Sequence, residues 1–192
     1  MCREQLPVWQ QLHENELAGI HLLGVAVDAQ GADRPRHYAD KAGVTFPIVV
    51  DAENTLAKLF NYKVVPNGVL VDEQGIVHYV KIGGFEVRQA QYAGLVKAWA
   101  AGQSTAELAP LAPDDAARAM RHPEALQYYD QGLALYRQGR VEEAMPFWRQ
   151  VVEMEPDNFV VRKQIWAVEH PDKFYEGSIV TSWQREQISK GQ

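Results

Sequence analysis

Ile20-His21-Leu22-Leu23-Gly24-Val25-Ala26-Val27-Asp28 and Phe46-Pro47-Ile48-Val49-Val50-Asp51 decide the fold class. Each is a short apolar run stopped by an aspartate. That is the pattern of a strand buried in a parallel sheet. Between them, Arg34 to Ala42 reads as a helix closed by Gly43. Upstream, Leu6, Val8, Trp9, Leu12 and Leu17 fall at mixed helical spacing, which predicts a helix over 4–17 with a kink or restart at Pro7. Downstream, Asn54 to Phe60 is a short helix. Val69 to Val71 and Ile76 to Ile82 are strands joined by Asp72-Glu73-Gln74-Gly75, a hairpin turn. Val87 to Ala101 is a closing helix with Tyr92, Leu95, Val96 and Trp99 on one face. The order α-β-α-β-α-β-β-α predicts an α/β sheet with right-handed crossovers over 1–101. One feature is unusual for that class: a helix comes first, and its apolar face needs a sheet already in place.

Residues 102–124, rich in Ala and Pro, read as a linker. Ala125 to Glu155 is helical with a break at Gln138-Gly139-Arg140, and Asn158 to Glu169 is a further helix. Helical residues 125–170 form the second domain. The tail over 171–192 holds Phe174, Tyr175 and Trp183, which predicts packing for at least part of it.

Composition narrows the function. The 192 residues carry a net charge of −6 with a pI near 5.5, which argues against a sequence-independent grip on nucleic acid. No apolar run approaches the roughly 20 residues that span a bilayer, so no membrane segment is expected. Met1-Cys2-Arg3-Glu4-Gln5 lacks the basic-then-apolar layout of a signal peptide, so the chain as given is expected to be cytoplasmic. The single cysteine excludes a disulfide within the chain and a Cys-based zinc site. Histidines at 13, 21, 37, 78, 122 and 170 are scattered, with no pair at ligand spacing, so no metal is expected. Gly83-Gly84 lacks the Lys-Ser/Thr of a phosphate loop. The five tryptophans read as core aromatics.

Several motifs in 1–101 together resemble the TlpA-like branch of the thioredoxin superfamily (redoxins, the AhpC/TSA superfamily). In that family a Cys-x-x-Cys motif caps a helix, and a proline stands five residues after the second cysteine. Here Pro7 stands five residues after Cys2. Leu22 to Asp28 looks like the family's second strand, and Gly43 to Asp51 is similar to its helix-to-strand connection. Val64-Val65-Pro66 falls where the family has its cis-proline, and Gly83-Gly84-Phe85 resembles its glycine pair. The resemblance implies a thioredoxin-like fold lacking its first strand, and exchange of protein thiols and disulfides without a cofactor. It implies that Cys2 is the resolving thiol and that Val65 and Pro66 contact substrate. The chemistry suits the parts. Free N–H groups at a helix N-terminus favour a thiolate. That thiolate attacks a disulfide, and a second thiol resolves the product. A cis X-Pro bond leaves the preceding residue's backbone free to hold an extended substrate.

Three features depart from the family pattern. The first cysteine would lie two residues before Met1. The leading strand is absent. Asn67-Gly68 stands where a threonine often follows the proline. The expectation is a truncated chain or a start codon set at an internal methionine, with an extracytoplasmic location if a segment precedes it. Other readings of these residues stay open. Asn67-Gly68 also reads as a type I′ hairpin turn, although the preceding proline fits that poorly. Asp28 reads as a turn aspartate or as a proton carrier near the sulfur. The chain also reads as a non-catalytic scaffold with a redox-dead fold, or as a peroxiredoxin-like peroxide reductase.

Residues 125–158 span 34 positions, and Tyr128, Gly132, Leu135, Tyr136, Ala144, Trp148 and Pro156 resemble a tetratricopeptide repeat. The plain alternative is an ordinary helical hairpin. A single repeat cannot bury both its faces, so Phe159-Val160-Val161 with Ile165-Trp166 is expected to cap it. The resemblance implies a docking or packing element for a protein partner.

Overall fold

A computed structural model describes residues 2–60, 62–103, 122–175 and 180–191. The chain divides into two compact units, 1–119 and 120–192.

The first unit contains α1 (Cys2–Asn15), β1 (Gly24–Ala26), α2 (Asp33–Lys41), β2 (Ile48–Val50), α3 (Thr55–Phe60), β3 (Gly68–Val71), β4 (Val77–Lys81) and α4 (Ala90–Ala100). The element order is the one the sequence predicts. The sheet is not. β1 pairs with β2 in parallel, Val25 opposite Val49, and β3 pairs with β4 antiparallel, Leu70 opposite Tyr79. Among the described residues these are two separate two-stranded sheets, because no strand joins β1 to β3.

The expected two-sided burial of β1 and β2 also needs correction. Leu23, Val25 and Val49 share one face and are 57%, 37% and 49% exposed. Phe46, Gly24 and Ile48 share the other face, where the Phe46 ring meets His13 of α1 edge-on at 5.6 Å. Among the described residues, the α1 side of this sheet is the covered one.

α1 runs as one element with Pro7 inside it, so the restart expected there is not seen. Its Val8, Trp9 and Leu12 pack with Leu70, Phe85 and Val87 and with Tyr92, Leu95, Val96 and Trp99 around α4. Two side-chain amides fasten the helix to its surroundings. Gln10 Oε1 accepts from the Thr45 N–H at 2.9 Å while its Nε2 donates to Thr45 Oγ1 at 2.9 Å. Gln5, the other, belongs to the site described below.

The second unit contains α5 (Pro123–Arg137), α6 (Val141–Met154), α7 (Phe159–Glu169), α8 (Pro171–Tyr175) and α9 (Thr181–Ser189). Pro123 opens α5 where its missing N–H is not needed. Of the linker expected over 102–124, residues 104–121 lie outside the described ones. α5 and α6 cross tightly at Gly132: a Cβ there would sit 2.6 Å from the Trp148 ring and 3.2 Å from the Ala144 carbonyl oxygen. Trp148 is fully buried, lies near Tyr129 and Tyr136, and donates its Nε1–H to the Tyr129 carbonyl at 3.2 Å.

α7 follows and packs against α6. Asn158 starts it by accepting the Val161 N–H at 3.1 Å, and its Val160, Val161, Ile165, Trp166 and Ala167 are all buried. Buried Glu155 links the entry of α5 to the α6–α7 turn, accepting from the His122 N–H at 3.2 Å and from Asn158 Nδ2 at 2.9 Å. The tail packs in part, with Trp183 of α9 edge-on to Trp166 at 5.5 Å. No helix among the described residues is long and apolar enough to cross a membrane.

Candidate functional site

The sequence singles out Cys2, Val65 and Pro66, which lie far apart in the chain. The fold ties both regions to one short segment, Phe85-Glu86-Val87-Arg88.

From one side comes the first turn of α1. Cys2 lies in it and is exposed. Gln5, one turn on and therefore on the same helix face, is 2% exposed, and its Oε1 accepts the buried Val87 N–H at 2.9 Å. Glu4 approaches Arg88 Nη1 at 3.4 Å. Arg88 also pairs with Glu86 at 2.6 Å, and that hydrogen-bonded guanidinium holds the Glu86 carboxyl below the usual range. Beside Cys2, Arg3 hydrogen-bonds the Tyr38 hydroxyl and lies over the Tyr38 ring, tying the start of α1 to α2.

From the other side comes the loop before β3. The Val65–Pro66 peptide bond is cis. The Pro66 carbonyl accepts the Phe85 N–H at 3.2 Å, and Asn67 Oδ1 accepts the Gly83 N–H at 2.6 Å. β3 starts at Gly68 and pairs with β4, and the described residues 62–67 form no strand, so the hairpin-turn reading of Asn67-Gly68 is set aside. The Phe85 ring lies against Gly68 so closely that a Cβ there would be 2.5 Å from it. The same ring stacks on Trp9 of α1 at 6.2 Å with planes 11° apart, and meets Tyr92 of α4 at 4.8 Å.

The arrangement thus brings an exposed thiol on a helix's first turn and a proline loop to a shared support. Asp28 is buried, and its Oδ1 accepts the Gln30 N–H at 2.9 Å, the geometry of a turn aspartate. Among the described residues no group of three or more His, Cys, Asp or Glu is placed to hold a metal ion.

Sequence reasoning missed Gln5, and it noted Asn67 as a departure from pattern and as part of an alternative hairpin turn, not as a residue of the site. A polar residue three positions after Cys2, on the face that also holds Trp9 and Leu12, was the available signal for Gln5.

Comparison with known proteins bears on the first unit. Residues 1–80 match the model of the AhpC/TSA family. The chain is 26% identical over 83 residues to the thiol-disulfide oxidoreductase ResA of Geobacillus kaustophilus (strain HTA426), a match covering 43% of this chain and 47% of that protein. The chain therefore spans about half the length of that curated relative. No solved structure matches the chain significantly. The two matches support a thioredoxin-like redoxin, with the family match confined to the residues that carry Cys2, β1, β2 and the Val65–Pro66 loop.

Proposed function

We propose that the first unit is a thiol–disulfide oxidoreductase module of the TlpA-like type, acting on protein thiols and disulfides. Cys2 is its thiol, and Val65 and Pro66 hold an extended stretch of substrate. The observation that carries this reading is the shared segment: Gln5 ties the Cys2 turn to Val87, and Phe85 ties the same segment to Pro66. The redoxin match and the likeness to a thiol-disulfide oxidoreductase support it.

The chemistry is a displacement at sulfur. Cys2, the resolving thiol by resemblance, is the one cysteine of this sequence and takes the attacking part in this reading: its thiolate attacks one sulfur of a substrate disulfide. A bond forms from Cys2 Sγ to that sulfur, the substrate S–S bond breaks, and the other sulfur leaves as a thiolate. The helix N-terminus favours the anionic nucleophile. A dithiol reductant then releases the substrate and restores Cys2, becoming a disulfide itself. The α5–α6 hairpin serves as a tetratricopeptide-like docking element for a protein partner.

Reduction of insulin disulfides in the presence of dithiothreitol tests the reading. The chain is expected to accelerate turnover, and a Cys2→Ser variant is expected to match background. Equal rates for the two proteins would favour the alternative, a non-catalytic scaffold with a helical docking unit.

A further inference from the structure

Three contacts to residues 83–85 hold the loop that follows Pro66. Asn67 Oδ1 accepts the Gly83 N–H at 2.6 Å. The Phe85 N–H donates to the Pro66 carbonyl at 3.2 Å. The Phe85 ring occupies the space above Gly68 that a side chain would need. The second and third depend on Phe85, which α1, β4 and α4 also hold through Trp9, Tyr79 and Tyr92. The first depends on the Asn67 side chain alone. A hydroxyl at this position is shorter by one atom and cannot take the same carbonyl-like geometry to the Gly83 amide.

We propose that Asn67 is a positioning residue: through the Gly83 N–H it fixes the backbone of the Val65–Pro66 loop at the height needed to hold an extended peptide beside Cys2. This rests on the exchange reading given above. Asn67 touches neither sulfur nor substrate in this account. It acts on the loop, so its loss weakens recognition of a peptide chain more than it changes the thiol.

The consequence is a selectivity. A disulfide carried on an extended peptide uses the loop, whereas a small aromatic disulfide such as dithiobis(nitrobenzoate) reports the thiol without it. The readout is the ratio of Cys2 reaction rates with the peptide and the aromatic reagent, divided by the same ratio for free glutathione, which removes the faster departure of the aromatic thiolate. One intramolecular hydrogen bond corresponds to a drop of about five- to tenfold in that ratio for Asn67→Ala. Asn67→Asp keeps an acceptor oxygen at the same reach and is expected to restore most of the ratio. The Gly83 amide proton, followed by NMR, is expected to move upfield in the alanine variant and to stay in place in the aspartate variant. Should Asn67→Ala fail to fold, Asn67→Ser breaks the same bond with a smaller change in loop polarity.

A wild-type ratio well above one that survives Asn67→Ala or Asn67→Ser unchanged would overturn the role of Asn67 and leave the exchange reading standing. A wild-type ratio equal to that of free glutathione would overturn substrate binding by the loop, and this proposal with it.

Discussion

The two units bury their apolar side chains to different degrees. In the helical unit Ala125, Ala144, Trp148, Val151 and Val161 are fully enclosed, and its only large apolar side chains exposed among the described residues are Val180 and Ile188. In the sheet unit Leu23, Val25, Val49, Leu59, Val71, Ile76 and Val77 are exposed, six of them on or next to strands. Helices can satisfy their backbones one at a time, so a hairpin plus α7 completes a core. Strands cannot: β1 and β3 each have one paired edge among the described residues, and a lone two-stranded sheet is marginal. The lesson is a division of labour. The helical unit gains stability from its packing. The sheet unit, where the proposed exchange chemistry would lie, is tied together by hydrogen bonds that converge on residues 83–88, of which the Gln5–Val87 bond is buried.

That contrast can be broken by mutation. The largest effect is expected from Trp148→Ala, which removes a fully buried ring and leaves a cavity beside Tyr129 and Tyr136; about 3–5 kcal/mol should be lost from the helical unit in urea unfolding. A matched pair of glycine substitutions sharpens the comparison. Gly132→Ala and Gly68→Ala each drive a methyl into an aromatic ring, at 2.6 Å and 2.5 Å, and each should cost about 1–3 kcal/mol of stability. The helical-unit change should show only in unfolding. The sheet-unit change should also slow exchange with a peptide disulfide, because Phe85 must shift away from Gly68.

Gln5→Leu removes the acceptor of the buried Val87 N–H. A loss of about 1–3 kcal/mol is expected for the sheet unit, with faster hydrogen exchange at the Val87 amide. The smallest effect concerns the β3–β4 turn. There a hydrogen bond from His78, with others from the Ile76 and Gln74 amides, lowers the Asp72 carboxyl below the ordinary aspartate range. A group lowered on folding adds stability above its unfolded value, and that stability is lost as pH falls through the folded one. The turn should therefore loosen only under acid, below the ordinary aspartate range. Fluorescence of Trp99, 5.3 Å from the His78 ring, is the probe.

Much of this was legible in the chain. Apolar runs ended by Asp28 and Asp51 mark β1 and β2. The Gln138-Gly139-Arg140 break lies between α5 and α6, and the small residues Gly132 and Ala144 lie where those helices cross. Which faces of the strands stay open was not legible, because an apolar run looks the same whether or not both faces are covered. Leu23 and Val49 show this, since nothing in their own type says that their face is open. The site was half legible. Cys2 and Pro66 stand out by residue type and spacing. Gln5 and Asn67 act through backbone amides 82 and 16 positions away, and a partner that is an N–H leaves no mark in the sequence.

The central claim is that Cys2 is a nucleophile supported for exchange with protein disulfides. The direct measurement is the rate at which it forms a mixed disulfide with a disulfide-linked peptide, read by intact mass and compared with free glutathione at the same pH. The account predicts a mass adduct on Cys2 formed well faster than the glutathione reaction. A rate equal to or below that of glutathione would contradict it.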